Sequence, residues 1–558
     1  MRNKHFLLIV ISGLLLLSCK EKDEKFSTPS EKEKSIIIAV RSDIDFFNPL
    51  HSNDINSGLI NDLIFGALTY AEFDNINGEL IYLPYLASKW EISNDNRHIT
   101  FILNTKLKWS DGKKFTAEDV QYSFLLYTHP DVMSVRQDIE KYFLKQRNGQ
   151  VDYKRSFQII NDSTIRFNFA SKVDNPLFVT GLPILPKHLF DTIPFNKIFF
   201  SNINFKPIGI GPYVLENYVP RQQTVLRKND STKFDKIPFI EKIIFKVIPD
   251  YNSRINQLKN GEIHLMTDIR PDDARQLEEK YRNIKVEKIS GRDYDYIGWN
   301  NIDIDSYHQK RMIAPHPLFG SKRVRQALTL AINRAELLES YFGRYATPAE
   351  NPISPIFKIV EHTSFYQYEY DPARAKELLA LEGWKDTDND KILDKNVMPF
   401  KFKLSIASGK PHREFSATMI KNYLNKIGID VEIETLEPAV FFSKMFERKL
   451  DAWIAGWTVP LDLDLTPFWS SDLDKNPFNV VGFRNFEIDQ IFTELKRVKS
   501  PSDKKTLIQK FIQILQDEQP VTFLYWIDNI VGFNKKIKNI KLNPIGFTNR
   551  IWEWYITE

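Results

Sequence analysis

Cysteine is all but missing from this chain: Cys19 is the one thiol in 558 residues. No intrachain disulfide can form, so stability must come from burial alone. An excess of one charge is missing too. Seventy-six basic residues meet 72 acidic ones, a net charge of +4, and they are interspersed, without the basic tracts that bind nucleic acid. Frameworks of catalysis are absent: there is no HExxH, no GxSxG and no GxxxxGK(S/T), so no enzyme is expected. The ten histidines lack ligand spacing. His51, His98, His264 and His316 read as surface or loop residues, and neither a metal nor a cofactor is expected. No internal repeat of about 20 to 50 residues is present, which excludes a solenoid or propeller.

A long apolar run occurs only at the start. Arg2 and Lys4 precede Phe6 to Leu17, and Leu16-Leu17-Ser18-Cys19 closes the run with a small residue before the cysteine. A basic start, a short apolar stretch and a small residue at the cut site describe a secretory signal peptide, and the run is short for a membrane span. The Leu-x-Ser-Cys ending resembles a bacterial lipobox, which implies cleavage before Cys19 and lipid attachment there. Residues 1–18 are thus expected to be removed. Residues 19–35 hold the charged Lys20 to Lys34 segment, too poor in apolar residues to fold, and are expected to be a flexible tether. The expected location is the cell envelope, anchored and periplasm-facing, with either membrane possible.

What remains is globular. With 42% hydrophobic and 13% aromatic residues, the chain can build cores in about three units. Ser35 to Val40 is a β-branched run typical of a buried strand. Asn48-Pro49-Leu50 turns the chain, and Ser57 to Leu68 has helical spacing. Thr100 to Leu103 reads as a strand and Ser110-Asp111-Gly112 as a tight turn. Thr116 and Asp119 offer a cap and a first-turn acid for a helix running through Tyr127. Strand-like and helix-like runs alternate, so the class is mixed α/β. Asp386 to Asp394 places acids at positions 1, 3, 5 and 9 of a calcium loop. Lys391 and Val397 replace its glycine and bidentate acid, so a surface turn is expected.

Several blocks resemble one family. They are Leu86-Ala87-Ser88-Lys89-Trp90 and Leu107-Lys108-Trp109-Ser110-Asp111-Gly112 through Asp119-Val120, then Gly209-Ile210-Gly211-Pro212-Tyr213. Ile248-Pro249-Asp250 with Leu258 to Ile263, Tyr296 to Asn300, Val324 to Leu328 with Ala331 to Arg334, and Asp371-Pro372 through Trp384 follow in the same order. Together they resemble the bacterial extracellular solute-binding proteins of the oligopeptide and nickel type, family 5. The resemblance implies a two-lobed periplasmic-binding-protein (Venus-flytrap) fold with an additional inserted subdomain and two crossing strands. Mapped here, lobe I takes residues 36–66, 206–300 and 527–558, the inserted subdomain 67–205, and lobe II 301–526.

The resemblance also implies a function. A peptide or other small solute would be captured between the lobes and handed to ABC permease subunits by a monomer that hydrolyses nothing. A metal chelate, haem or saccharide as ligand, or a sensor as partner, is the alternative. Site candidates lie in Leu450 to Asp472. Asp451 to Trp457 reads as a buried strand, followed by an irregular loop with Pro460, Asp462, Asp464 and Pro467. In peptide-binding members an aspartate three residues after the Gly-Trp pair meets the peptide's amino terminus; here that residue is Pro460. Candidate ligand contacts are therefore Trp457, Asp462 and Asp464, with Asn48 from the other lobe and Arg448 for a carboxylate. The plain readings beside them are core packing for Trp457, turn capping for the two acids and a solvated helix end for Arg448. Leu436-Glu437-Pro438-Ala439 lacks the tryptophan that often follows the glutamate, and Phe441 and Phe442 are expected to supply apolar cover.

Overall fold

The computed structural model describes residues 35–231, 238–360, 368–498 and 500–557. The signal-peptide and tether expectations, Cys19 included, lie outside the described residues.

β1 (Ser35–Val40) forms as expected, and the helix α1 (Ile55–Ile64) follows. Asp54 starts α1 by accepting from the backbone N–H groups of Asn56 and Ser57, donors that a helix start leaves open. The helix ends four residues short of Leu68. Gly209 and Gly211 pack against its last turn, where a Cβ would fall 1.9 Å from the Ile64 carbonyl oxygen and 2.5 Å from that of Leu63. That contact between backbones accounts for the glycines of the Gly209-Ile210-Gly211 block. A hairpin of β2 (Thr69–Asp74) and β3 (Glu79–Pro84) comes next.

A separate antiparallel sheet contains β4 (Ala87–Ile92), β5 (His98–Leu103), β6 (Phe157–Asn161) and β7 (Thr164–Asn168), in the spatial order β4-β5-β7-β6. The helix α2 (Ala117–Thr128) covers it. Thr116 and Asp119 act as the expected cap and first-turn acid, and the Thr116 N–H donates to the Asp119 carboxylate at 3.0 Å, one arm of a capping box. Phe124 meets Phe167 at 4.7 Å and Phe157 at 5.5 Å between ring centres, so this subdomain has its own aromatic filling.

The large sheet takes β8 (Tyr213–Val219), β9 (Gln223–Lys228), β10 (Lys242–Val247), β11 (Leu265–Met266), β12 (Ile284–Trp299) and β13 (Ala346–Pro348). A short pair, β14 (Asp394–Lys395) and β15 (Met398–Pro399), stands apart. β16 (Lys401–Ala407), β17 (Asp430–Leu436), β18 (Ala452–Thr458) and β19 (Val521–Asn534) complete the large sheet. Its order is β17-β16-β18-β12-β19-β11-β1-β10-β9-β8, with β13 also on β19.

β12 and β19 are the two strands common to both lobes. Ile284 to Ile289 pairs with β19 beside β11 and β1, whereas Asp293 to Gly298 pairs with both β19 and β18. The register shifts between Ile289 and Asp293, and there a Cβ on Gly291 would fall 2.3 Å from the Ile527 carbonyl oxygen. A glycine at a bulge lets the two backbones approach and the sheet bend. The result is a two-lobed α/β fold with an inserted subdomain.

Distinct cores fill the fold, one of them shared by lobe I and the inserted subdomain. One joins Ile36 and Ile38 of β1 to Phe101, Phe124 and Trp109 of the subdomain. Another gathers Trp299, Leu404, Ile454 and Leu424, and a third Tyr294, Trp453, Phe441 and Phe511. Phe73 of β2 and Leu80 of β3 enter that third core, and Phe73 meets the Phe357 ring at 6.0 Å. At the hairpin tip, a Cβ on Gly78 (φ +69°) would fall 2.4 Å from the Lys358 backbone nitrogen. The hairpin therefore docks on the second lobe. Among the described residues no helix is long and apolar enough to cross a membrane.

Candidate functional site

β18 is built around two tight contacts with β12. A Cβ on Gly298 would meet the Trp453 indole at 2.3 Å, and one on Gly456 would meet the Asp295 carboxylate at 2.3 Å. Asp295 is buried and accepts twice from Arg413, from Nε at 2.9 Å and from Nη2 at 2.7 Å, with His412 Nε2 at 3.2 Å. Burial alone would push the Asp295 carboxyl up. The Arg413 guanidinium overrides it and holds the group well below the usual carboxylate range. This bidentate pair ties the helix Pro411–Asn425 to the central strand and sets Gly456, hence Trp457, in place.

Trp457 lies across from Tyr294 in the register and is half-buried. Its ring meets Phe468 at 5.2 Å, Phe478 at 5.6 Å and Phe446 at 6.2 Å. Phe478, Phe446 and Phe442 are themselves exposed, so the aromatic surface continues outward. Beneath the tryptophan a narrow apolar pocket is lined by Tyr294, Tyr296, Trp469 and Val521. Such a surface takes up an apolar group without specifying it, while nearby polar groups set orientation.

The loop beyond β18 supplies those polar groups. The Thr458 hydroxyl donates to Asp293, and the Val459 N–H donates to the Arg292 carbonyl at 2.9 Å. Asp462 and Asp464 are both exposed. Asp462 accepts from the Asp464 N–H at 3.2 Å, and Asp464 from the Thr466 N–H at 3.1 Å, so each also caps its own turn. Asp462 reaches further. Burial raises the Tyr82 hydroxyl pKa, and the Asp462 charge adds to that rise. Tyr82 lies on β3, where Asn175 Nδ2 donates to its hydroxyl oxygen at 3.1 Å.

Asn48 and Arg448 are placed otherwise. Asn48 is buried; its Nδ2 donates to Asn204 Oδ1 at 2.7 Å and its Oδ1 accepts from the Leu50 N–H at 3.0 Å. It pins a turn. Arg448 is no solvated helix end: it is buried, at φ +55°, and its Nε donates to the Asn479 carbonyl at 3.1 Å while its guanidinium lies over Tyr307. Phe441 is core, and only Phe442 remains as cover. His51 and His316 lie in loops, within the surface-or-loop reading, and both are buried. His51 Nε2 sits 2.8 Å from the Val132 carbonyl, and His316 Nδ1 accepts from the Leu318 N–H at 3.1 Å. His264 Nδ1 accepts from the Ile37 N–H at 2.9 Å.

Asp386, Asp388 and Asp394 bring carboxylate oxygens within 4.8 Å of one another. Local donors already meet them: the Asn389 N–H reaches Asp386 at 2.8 Å and the Thr387 hydroxyl reaches Asp394 at 3.1 Å. A concavity of about 720 Å³ lies elsewhere on lobe II among Gln326, Tyr368, Arg374 and Gln513, and is polar. Sequence reasoning missed Phe446 and Phe478 as neighbours of Trp457. Their partners are distant in the chain and no local pattern joins them.

Comparison with known proteins now adds to this geometry. The family model for bacterial extracellular solute-binding proteins, family 5 (middle region), matches residues 82–478. The oligopeptide-binding protein AppA of Bacillus subtilis (strain 168) is 28% identical, across 99% of this chain and 98% of the relative. The solved structure of B. subtilis AppA with a nonapeptide superposes with a TM-score of 0.73 at 26% identity, over 94% of this chain and 99% of that one. NikZ from Campylobacter jejuni in complex with Ni(L-His) superposes with a TM-score of 0.74 at 25% identity, over 94% and 99%.

Proposed function

Because the chain belongs to the bacterial extracellular solute-binding proteins, family 5, we propose that it captures peptides or peptide-like solutes between its lobes and delivers them to an ABC permease. The observation that carries the reading is the meeting of Trp457 with Phe468 and Phe478 beside the loop that bears Asp462 and Asp464. An apolar shelf holds side chains of varied shape. Asp462 and Asp464 offer carboxylates to an amine or to backbone N–H groups. Full-length likeness to an oligopeptide-binding protein supports the peptide class.

The bulge at Ser290 to Arg292 and the facing Ile527 to Asn529 act as the hinge. The register shift there supports a lobe boundary nearer residue 291 than residue 300. Residues 67–205 form the inserted subdomain, with its own sheet. Closure is stabilised by a ligand that touches both walls. The Leu16-Leu17-Ser18-Cys19 ending supports lipid attachment at Cys19, with residues 20–34 as tether and a monomeric, periplasm-facing protein as the product. Titration of the purified protein with tri- to nonapeptides, followed by tryptophan fluorescence, tests the reading. Saturable quenching or enhancement that is lost in Trp457→Ala is expected. Saturable binding of nickel–histidine with no response to peptides overturns the peptide class.

A further inference from the structure

Residues 459–465, the loop that follows β18, alternate in character: Val459, Leu461, Leu463 and Leu465 stand between Pro460, Asp462 and Asp464. The four apolar side chains pack on the third core together with Ile353 and Phe357, while the two acids stay exposed. Leu463 holds φ +56°, the left-handed region, which a bulky side chain adopts only at a cost. The loop's shape is therefore imposed by what it is fastened to.

That fastening is narrow. The Leu463 N–H donates to the Pro460 carbonyl at 3.1 Å and the Phe468 N–H to the Leu465 carbonyl at 3.1 Å, while Asp462 and Asp464 cap their own turns. Among the described residues, Arg292 is the one hydrogen-bonded tie from this loop to another strand. Arg292 Nη1 donates to the Val459 carbonyl at 2.5 Å, and the Arg292 carbonyl accepts from the Val459 N–H at 2.9 Å. Both backbone groups of the loop's first residue are thus held by one arginine. Arg292 itself lies in the bulge, where β12 loses its register on β19. The bulge has a second tie, since the buried Ser354 hydroxyl donates to the Gly291 carbonyl at 2.8 Å.

A bulge is where a sheet bends. Because Arg292 bonds the loop through its own carbonyl as well as its guanidinium, a rotation of its backbone carries Val459 with it. We propose that Arg292 is a positioning residue that couples the hinge to the acid-bearing loop, so that lobe rotation and the placing of Asp462 and Asp464 are one event. This rests on the solute-capture reading and deepens it. Arg292 acts through the loop rather than by touching the solute. A solute settled on the loop biases the hinge, and the hinge angle biases the loop, since coupling between two sites is reciprocal.

Hydrogen–deuterium exchange of the ligand-free protein is the first test. Arg292→Met should speed exchange at the hydrogen-bonded amides of Leu463 and Asp464 about 10-fold, the scale of a charged hydrogen bond. Tyr294 to Gly298 should keep its protection, and Arg292→Lys, which retains a donor, should recover most of the loss. Ser354→Ala, which loosens the bulge from its second tie, should speed the same loop amides in wild type and add nothing in Arg292→Met. Additive effects, or loop amides unchanged in Arg292→Met, overturn the coupling. The second test titrates tripeptides and nickel–histidine separately. Arg292→Met should bind whichever probe wild type binds about 3- to 10-fold more weakly, and at saturation should lose the compaction that small-angle scattering records for wild type. Full compaction of saturated Arg292→Met overturns the coupling and leaves solute capture standing. Failure of wild type to bind either probe overturns the solute reading, and the ligand-free exchange result then decides the coupling by itself.

Discussion

Asp295, bound on two sides by Arg413 and His412, shows how much of this site is electrostatic scaffolding. Removing one member of a buried pair leaves the other uncompensated, so Arg413→Met should cost about 3–5 kcal/mol in urea unfolding. The depressed Asp295 pKa fixes the sign of the pH effect. The pair's contribution is present above the unfolded value near 4 and fades as pH falls below it, so wild type should lose stability in acid more steeply than Asp295→Asn. Trp457→Ala should weaken solute binding about 10- to 100-fold, as central aromatic anchors do, because the rings of Phe468 and Phe478 lose their partner. At this scale the sequence disclosed the aromatic and acidic loop. Asn48 and Arg448 were misread because their partners, Asn204 and Asn479, are distant in the chain.

Among the elements, β1, β5, α2 and β18 follow from local pattern, since β-branched runs and a capping box act over a few residues. The long strands β12 and β19 do not. Each changes partners along its length, and only non-local pairing reveals that one strand serves two lobes. Gly209 illustrates the same limit: it reads as part of a motif, while its reason is the Ile64 carbonyl it rests on. Gly209→Ala should therefore destabilise by about 1–3 kcal/mol, the usual cost of overpacking, measured by thermal melting. Gly291→Val should act differently. A Cβ facing the Ile527 carbonyl forces the bulge apart, so small-angle scattering should show an altered ligand-induced compaction.

For the molecule as a whole, family membership and the two-lobed class were legible because seven blocks keep their order along the chain. The docking of the β2–β3 hairpin on lobe II was not, since Phe73 reaches a core formed almost wholly by residues beyond 290. That docking joins the inserted subdomain to the second lobe. The central claim is that this cleft holds a peptide-like solute, and native mass spectrometry of the protein purified without denaturation tests it most directly. The account predicts a set of adducts with the masses of short peptides, released on unfolding. A single adduct with the mass of a metal chelate or another non-peptide solute would contradict it.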